Sequence, residues 1–157
     1  MNESQLPQRC HPAHHPPHIR VNHPTILFLT LCVKDKRPLL ANTEAQHLLL
    51  DGWTKADRWL VGRYVIMPDH IHLFCAPRDL NCRLKAWITY WKNEVTRQWP
   101  RKNEKPIWQR EFWDTQLRRE ESYGNKWEYV RQNPVRAGLV ESPDDWPFCG
   151  EINVLRW

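Results

Sequence analysis

Apolar residues in the middle of the chain form short, nearly unbroken runs. The run at residues 25 to 33 is almost wholly apolar or β-branched, which is typical of a central strand covered on both faces. Three further extended stretches, at residues 64 to 67, 70 to 75 and 107 to 114, are rich in Val, Ile and aromatic residues. Pro68 and Asp69 separate the second run from the third. That step predicts either a turn between two strands or a kink within one.

Between these runs the apolar residues recur at helical spacing. A first helix is predicted from Thr43, as its N-cap, and a second helix with Asn81 as its N-cap. Their apolar stripes consist of Ala45, Leu48, Leu49, Trp53 and Ala56 in the first, and of Leu84, Trp87, Ile88, Trp91 and Val95 in the second.

A third helix is predicted from about Glu120 to near Asn133. It must end there because Pro134 lacks a backbone N–H and disfavours helix for the residue before it. Its buried stripe is predicted to be Tyr123, Trp127 and Val130. At about 100° per residue, Tyr129 falls roughly 160° from Trp127 and therefore lies on a different face.

The predicted order is strand, helix, two strands, helix, strand, helix. This order favours an α+β fold in which an antiparallel four-stranded sheet carries the helices on one face, a ferredoxin-like arrangement. Residues 1 to 24 are rich in Pro and His and have no apolar period, so we predict a flexible arm there and one domain over residues 25 to 157.

Composition narrows the class of protein. The chain carries 23 basic and 18 acidic residues, a formal charge of +5, which suits a polyanionic partner. No apolar run is long enough to span a bilayer, so we expect no membrane partner. The five cysteines form no Cys-x-x-Cys pair and are predicted to be reduced thiols of a cytoplasmic protein.

Basic residues concentrate on and after the second helix. Residues 83 to 105 contain seven basic and two acidic side chains, so this segment alone holds a net charge of +5, the whole formal excess. A solvated helix face explains much of this pattern. The concentration nevertheless predicts a DNA-binding surface that contacts phosphates, for which the candidate residues are Arg83, Lys85, Lys92, Arg97 and Arg110.

His70 and His72 stand one residue apart in the third extended run. Because successive side chains of a strand point to opposite faces, the two imidazoles project from the same face, and Ile71 and Leu73 from the other. Two ordinary strand histidines would give the same spacing. Two imidazoles on a rigid strand can also form half of a divalent-metal site.

Two motifs carry a resemblance to a known family. The stretch Met67-Pro-Asp-His-Ile-His-Leu73 resembles the HUH signature of tyrosine-dependent endonucleases and transposases that act on single-stranded DNA. The longer stretch Tyr129-Val-Arg-Gln-Asn-Pro-Val-Arg-Ala-Gly-Leu-Val140 resembles the REP-associated tyrosine transposases, a single-tyrosine branch of that superfamily. Residues 107 to 114 and 145 to 147 share this resemblance.

The resemblance implies an HUH endonuclease fold and a metal-dependent transposase that nicks and rejoins single-stranded DNA beside hairpins. It implies Tyr129 as the nucleophile, which would form a 5′-phosphotyrosine intermediate. It also implies His70 and His72 as ligands of Mg²⁺ or Mn²⁺. Asn133 stands where related insertion-sequence transposases have a third ligand, Gln, and is either that ligand or a residue that caps the helix or orients the site.

The expected partner is single-stranded DNA with a hairpin, bound by a monomer or homodimer without a nucleotide cofactor. A different class of function is a hairpin-binding relative that has lost catalysis. The presence of His70, His72 and Tyr129 together favours the enzyme, since a protein that only binds DNA has no need of all three.

Overall fold

The structure is a computed structural model that describes residues 25 to 118 and 120 to 156, with the backbone alone at positions 120 and 121. The arm predicted for residues 1 to 24 lies outside the described residues. The described part forms one antiparallel sheet with helices on both faces.

The sheet contains β1 (Ile26–Val33), β2 (Trp59–Ile66), β3 (His70–Pro77), β4 (Trp108–Leu117) and β5 (Cys149–Glu151), in the spatial order β4-β1-β3-β2-β5. Every neighbouring pair is antiparallel. The first four strands and the two helices between them give the ferredoxin-like order that the sequence predicts. The prediction of four strands is one short. Three residues are too few for β5 to show an alternating pattern in the sequence.

Pro68 and Asp69 form a turn, not a kink within one strand. The N–H of Met67 donates to the carbonyl of His70 at 2.8 Å, which closes the hairpin between β2 and β3. The turn fixes where β3 begins, and therefore which face of the sheet each of its side chains occupies.

The helices are α1 (Thr43–Lys55), α2 (Leu84–Gln98), α3 (Glu120–Arg131) and the short α4 (Asn133–Arg136). Asn42, not Thr43, caps α1, because its side chain accepts a hydrogen bond from the N–H of Ala45 at 2.8 Å. The residue at the N-cap of α2 is Arg83 instead of Asn81, and no side chain caps that end. Within the described residues no helix combines the length and the apolar character that crossing a membrane requires.

The helices divide between the two faces of the sheet, so the expectation that all of them pack on one face is wrong. Alternate residues of β1 (Leu27, Leu29, Leu31 and Val33) pack with tryptophans of α1 and α2 in the larger core cluster. Ile26, Phe28 and Phe74 lie on the opposite side and pack with the stripe of α3, namely Tyr123, Trp127 and Val130. We call this second side the α3 face. The near-continuous apolar run of β1 follows from burial on both sides.

Lys92 is a buried charged residue of α2. Its side chain is 8% exposed, and its Nζ donates to the carbonyl oxygen of Gln109 at 3.2 Å and lies 5.8 Å from the ring centroid of Trp108. Burial lowers the pKa of Lys92 from 10.5 to about 8. The folded state is therefore destabilised when this amine is charged.

Lys92 should give the protein a stability that rises with pH in the alkaline range. Between about pH 8 and 10.5 the unfolded chain binds a proton at Lys92 that the folded chain has released. The free energy of unfolding should therefore increase across this window by on the order of 3 kcal/mol. Chemical denaturation at a series of pH values measures it.

The variant Lys92→Met should abolish this alkaline increase and be more stable than wild type near pH 7. Lys85→Met, which removes an exposed lysine from the same helix, should keep the wild-type dependence. Identical pH profiles for Lys92→Met and wild type would show that Lys92 is not the group responsible.

Candidate active site

His70 and His72 lie side by side on the α3 face of β3. Their ring centroids are 4.8 Å apart and the ring planes are nearly perpendicular. Ile71 and Leu73 alternate with them and enter the larger core cluster on the other face. The pleat of the strand thus anchors the histidines through their apolar neighbours, as the sequence predicts.

Each histidine is held through its Nδ1 atom. His70 Nδ1 lies 2.6 Å from Oδ1 of Asp69, and His72 Nδ1 lies 3.0 Å from Oγ1 of Thr30, the residue opposite it on β1. When Nδ1 carries the proton and donates it to these oxygens, Nε2 is the atom left to bind a ligand. The hydrogen bond with His70 is also the main cause of a lowered pKa at the Asp69 carboxyl.

His72 is uncharged at neutral pH. Burial holds the pKa of His72 well below its ordinary value, and the nearby charges of His70, Lys126 and Arg136 lower that pKa further. A neutral imidazole is the form that binds a metal ion. Burial therefore keeps His72 in the uncharged form that can act as a metal ligand.

The histidine pair fits part of a divalent-metal site. Among the described residues, no group of three or more His, Cys, Asp and Glu side chains is placed to hold a metal ion. Asn133 begins α4, and its Oδ1 accepts a hydrogen bond from Arg136 at 2.6 Å. That contact is compatible with either of the roles left open for Asn133.

Tyr129 lies off the buried stripe of α3, as its helical position predicts, and its side chain is 44% exposed. Two cations flank its ring. The guanidinium carbon of Arg136 lies 4.2 Å from the ring centroid, and the Nζ of Lys126 lies 5.6 Å from it. Tyr129 is therefore a reachable phenol in positively charged surroundings, which suits an approach by a phosphodiester.

A continuous set of contacts joins Tyr129 to the histidines. The ring of Phe28 stacks on His72 with centroids 5.4 Å apart, and the Nζ of Lys126 lies 4.7 Å from the centroid of Phe28. Lys126 in turn lies over Tyr129. The structure thus brings His70, His72 and Tyr129 together on one face of the sheet, and Asn133 joins them through Arg136.

The other three tyrosines are placed differently. Tyr64 and Tyr123 are 5% and 7% exposed, and burial raises the pKa of each phenol. Tyr90 is 51% exposed, but it belongs to α2, on the opposite side of the sheet from the histidines. Of the four tyrosines, Tyr129 alone is both exposed and linked to the histidine pair through Lys126 and Phe28.

The predicted DNA-binding residues are not gathered at this site. Arg83, Lys85 and Arg97 are exposed on or beside α2, across the sheet from Tyr129, and Arg110 is exposed on the outer strand β4. Arg97 also forms an ion pair with Glu94 at 2.6 Å. Lys92 is buried, so its ammonium does not reach the surface and we withdraw it from the predicted DNA contacts.

Sequence reasoning overlooked several residues that build the site: Phe28, Thr30, Asp69, Lys126 and Arg136. Lys126 precedes Tyr129 by three positions, a spacing that places two side chains together on a helix, so the sequence did hold a signal for it. Phe28 and Thr30 depend on the register of β1 against β3, which no local pattern encodes.

Two known proteins that are similar to the chain carry related names. A Haemophilus influenzae protein, provisionally named a REP-associated tyrosine transposase, is 35% identical over 94 residues, which cover 53% of each chain. The chain therefore spans about half the length of that relative. The REP-associated tyrosine transposase of Escherichia coli K12 is 29% identical over 126 residues, covering 77% of this chain and 73% of the relative. No protein-family model matches the chain.

Two solved structures resemble the chain in fold. A REP-associated tyrosine transposase bound to a REP hairpin superposes with a TM-score of 0.69 at 26% identity, over 84% of this chain and 80% of the other. A Deinococcus radiodurans protein, provisionally named a transposase, gives a TM-score of 0.52 at 16% identity over 71% and 92% of the two chains, and supports the fold alone. The resemblance to REP-associated tyrosine transposases is confirmed in sequence and in fold. The relatives so named are called tyrosine transposases, and that name is consistent with the class of enzyme predicted for this chain.

Proposed function

We propose that this protein is a metal-dependent DNA strand transferase that nicks and rejoins single-stranded DNA beside hairpins, with Tyr129 as nucleophile. The observation that carries the proposal is the placement of an exposed tyrosine on the same face of the sheet as the histidine pair, with Phe28 and Lys126 linking Tyr129 to His72. The structural relative bound to a REP hairpin supports hairpin DNA as the substrate.

The proposed reaction is a transesterification. The hydroxyl oxygen of Tyr129 attacks the phosphorus of one phosphodiester, and the bond from phosphorus to the 3′-oxygen breaks. The products are a 5′-phosphotyrosine and a free 3′-hydroxyl, and the phenol proton ends, through solvent, on the 3′-oxygen. The reverse attack by a 3′-hydroxyl rejoins DNA without ATP, because the phosphodiester energy stays in the tyrosine linkage.

His70 and His72 would hold the divalent ion, Mg²⁺ or Mn²⁺, through their Nε2 atoms. When bound, the ion would supply a positive charge that polarises the scissile phosphate. Thr30 and Asp69 would orient the two rings by accepting the Nδ1 hydrogens. Asn133 would complete the coordination or hold Arg136 beside Tyr129.

The exposed basic residues Arg83, Lys85, Arg97 and Arg110 would contact phosphates of the hairpin away from the cleavage point. Most of them lie across the sheet from Tyr129, so this part of the proposal requires DNA that passes round the edge of the sheet formed by β4. Within the same proposal, residues 25 to 157 form the transposase domain, residues 1 to 24 a flexible arm, and the protein acts in the cytoplasm as a monomer or homodimer.

A hairpin-binding protein without catalysis is the second candidate. It would need the exposed basic residues but no reachable tyrosine beside a histidine pair. The exposure of Tyr129 and the neutral state of His72 favour the enzyme. A cleavage assay decides between the two, using single-stranded oligonucleotides that carry hairpins from palindromes near the gene.

The variant Tyr129→Phe should lose the covalent protein–DNA band on a denaturing gel and keep hairpin binding in a gel-shift assay. The hydroxyl is lost from a half-exposed position, so the free energy of unfolding should change by less than about 1 kcal/mol. Tyr90→Phe, on the other side of the sheet, is the matched control and should keep the band. A covalent band formed by Tyr129→Phe would exclude Tyr129 as the nucleophile.

Excess EDTA should stop cleavage by the wild-type protein, and Mg²⁺ or Mn²⁺ should restore it, while hairpin binding persists. His70→Ala should lose cleavage at any metal concentration. The matched control His47→Ala removes an exposed histidine of α1 and should cleave normally. Full cleavage by metal-free wild type would mean that His70 and His72 are not ligands of an essential ion.

Replacing Lys85 or Arg110 by Gln should flatten the salt dependence of hairpin binding. Each lost phosphate contact should reduce the slope of log affinity against log salt by roughly 0.7 on a single strand. Lys55→Gln, an exposed lysine of α1 that pairs with Asp51, serves as the control and should leave the slope unchanged. Unchanged slopes for both test variants would place the DNA on the α3 face instead.

A further inference from the structure

The ammonium of Lys126 is a half-buried cation that lies between the histidine pair and Tyr129. It has no role in the proposed reaction. The Nζ of Lys126 is 4.7 Å from the ring centroid of Phe28 and 5.6 Å from that of Tyr129. Phe28 stacks on His72. A phosphate that touches both the histidine side and the tyrosine hydroxyl must therefore pass within reach of this ammonium.

The surroundings of Lys126 leave its charge only partly compensated. Burial lowers the pKa of Lys126, and in the described part of the chain no carboxylate forms an ion pair with it. Aromatic faces attract a cation but accept no full hydrogen bond from it. A desolvated ammonium with this environment gains most from an incoming anion.

Arg136 is engaged in a different way. Its guanidinium lies over the ring of Tyr129 at 4.2 Å and donates to Oδ1 of Asn133 at 2.6 Å. That contact ties Arg136 to the start of α4. Lys126 is on α3 itself, three residues before Tyr129, so it keeps its distance from the phenol whenever the helix shifts as a unit.

We propose that Lys126 is a catalytic residue that binds a non-bridging oxygen of the phosphate attacked by Tyr129. This inference rests on the proposed function. As the bond from Tyr129 to phosphorus forms and the bond to the 3′-oxygen breaks, negative charge accumulates on the non-bridging oxygens, and the Lys126 ammonium offsets it. The lysine keeps its proton throughout, so the atoms and charges of the reaction are otherwise unchanged.

A substrate that lacks the charge tests this role directly. The wild-type protein and Lys126→Met are compared on the cleaved oligonucleotide and on the same oligonucleotide with a neutral methylphosphonate at the scissile position. On the normal phosphodiester, Lys126→Met should form the covalent adduct about 10²-fold more slowly than wild type. On the methylphosphonate the two proteins should differ by less than about threefold, because a neutral methyl group replaces the ionised oxygen that Lys126 would bind.

Two further variants separate charge from folding. Lys126→Arg keeps a cation and should retain adduct formation to within about tenfold of wild type. Lys55→Met removes an exposed lysine on the far side of the sheet and should behave as wild type on both substrates. Circular dichroism and hairpin binding confirm that each variant is folded, and if Lys126→Met fails to fold, Lys126→Gln takes its place.

Each outcome bears on a different statement. Equal rates for Lys126→Met and wild type on the phosphodiester would overturn the role of Lys126 and leave the proposed function intact. A defect of the same size on both substrates would also overturn it, since the loss would then be structural. No covalent adduct with wild type on the phosphodiester would overturn the proposed function itself, and this inference with it.

Discussion

The pairing of β1 with β3 is the constraint on which the site depends. Its register sets Thr30 opposite His72 and Phe28 opposite Phe74, so one strand supplies both the oxygen that meets Nδ1 and the ring that stacks on the imidazole. A shift of one residue would turn each of these side chains to the other face. Such a shift would also expose the Leu residues of β1, which the larger core cluster buries. Core packing therefore enforces the geometry of the histidines.

The positions of the candidate site residues on their strand and helix could be predicted from the sequence because the patterns that set them are local. The period of a strand places His70 and His72 on one side, and the period of a helix separates Tyr129 from Tyr123, Trp127 and Val130. The order of strands and helices predicts the ferredoxin-like arrangement for the same reason. The two placements of side chains use residues fewer than ten positions apart, whose relative directions follow from backbone geometry alone, and the order of elements is read from the same local periods.

The sequence predictions for the face that α3 covers and for the number of strands were wrong because both depend on contacts between distant segments. The side of the sheet that α3 covers depends on how the chain returns after β4, and β5 is defined by its pairing with β2 more than by its own three residues. Lys92 is a different case, because the sequence did carry a warning. It follows Ile88 by four residues and so lies only about 40° from it on the helix, within the apolar stripe. The position of Lys92 in the stripe indicates burial in spite of its charge.

The helices are divided between the two faces of the sheet, so the larger core cluster and the helix that carries Tyr129 lie on opposite sides. The larger core cluster involves α1, α2 and one side of the sheet, while α3 rests on a smaller cluster built around Phe74, Tyr123 and Val130. A displacement of α3 would uncover the smaller cluster and leave the larger one closed. The helix that carries Tyr129 therefore rests on the smaller cluster, and the larger cluster would still pack one face of the sheet if the contacts of α3 were lost.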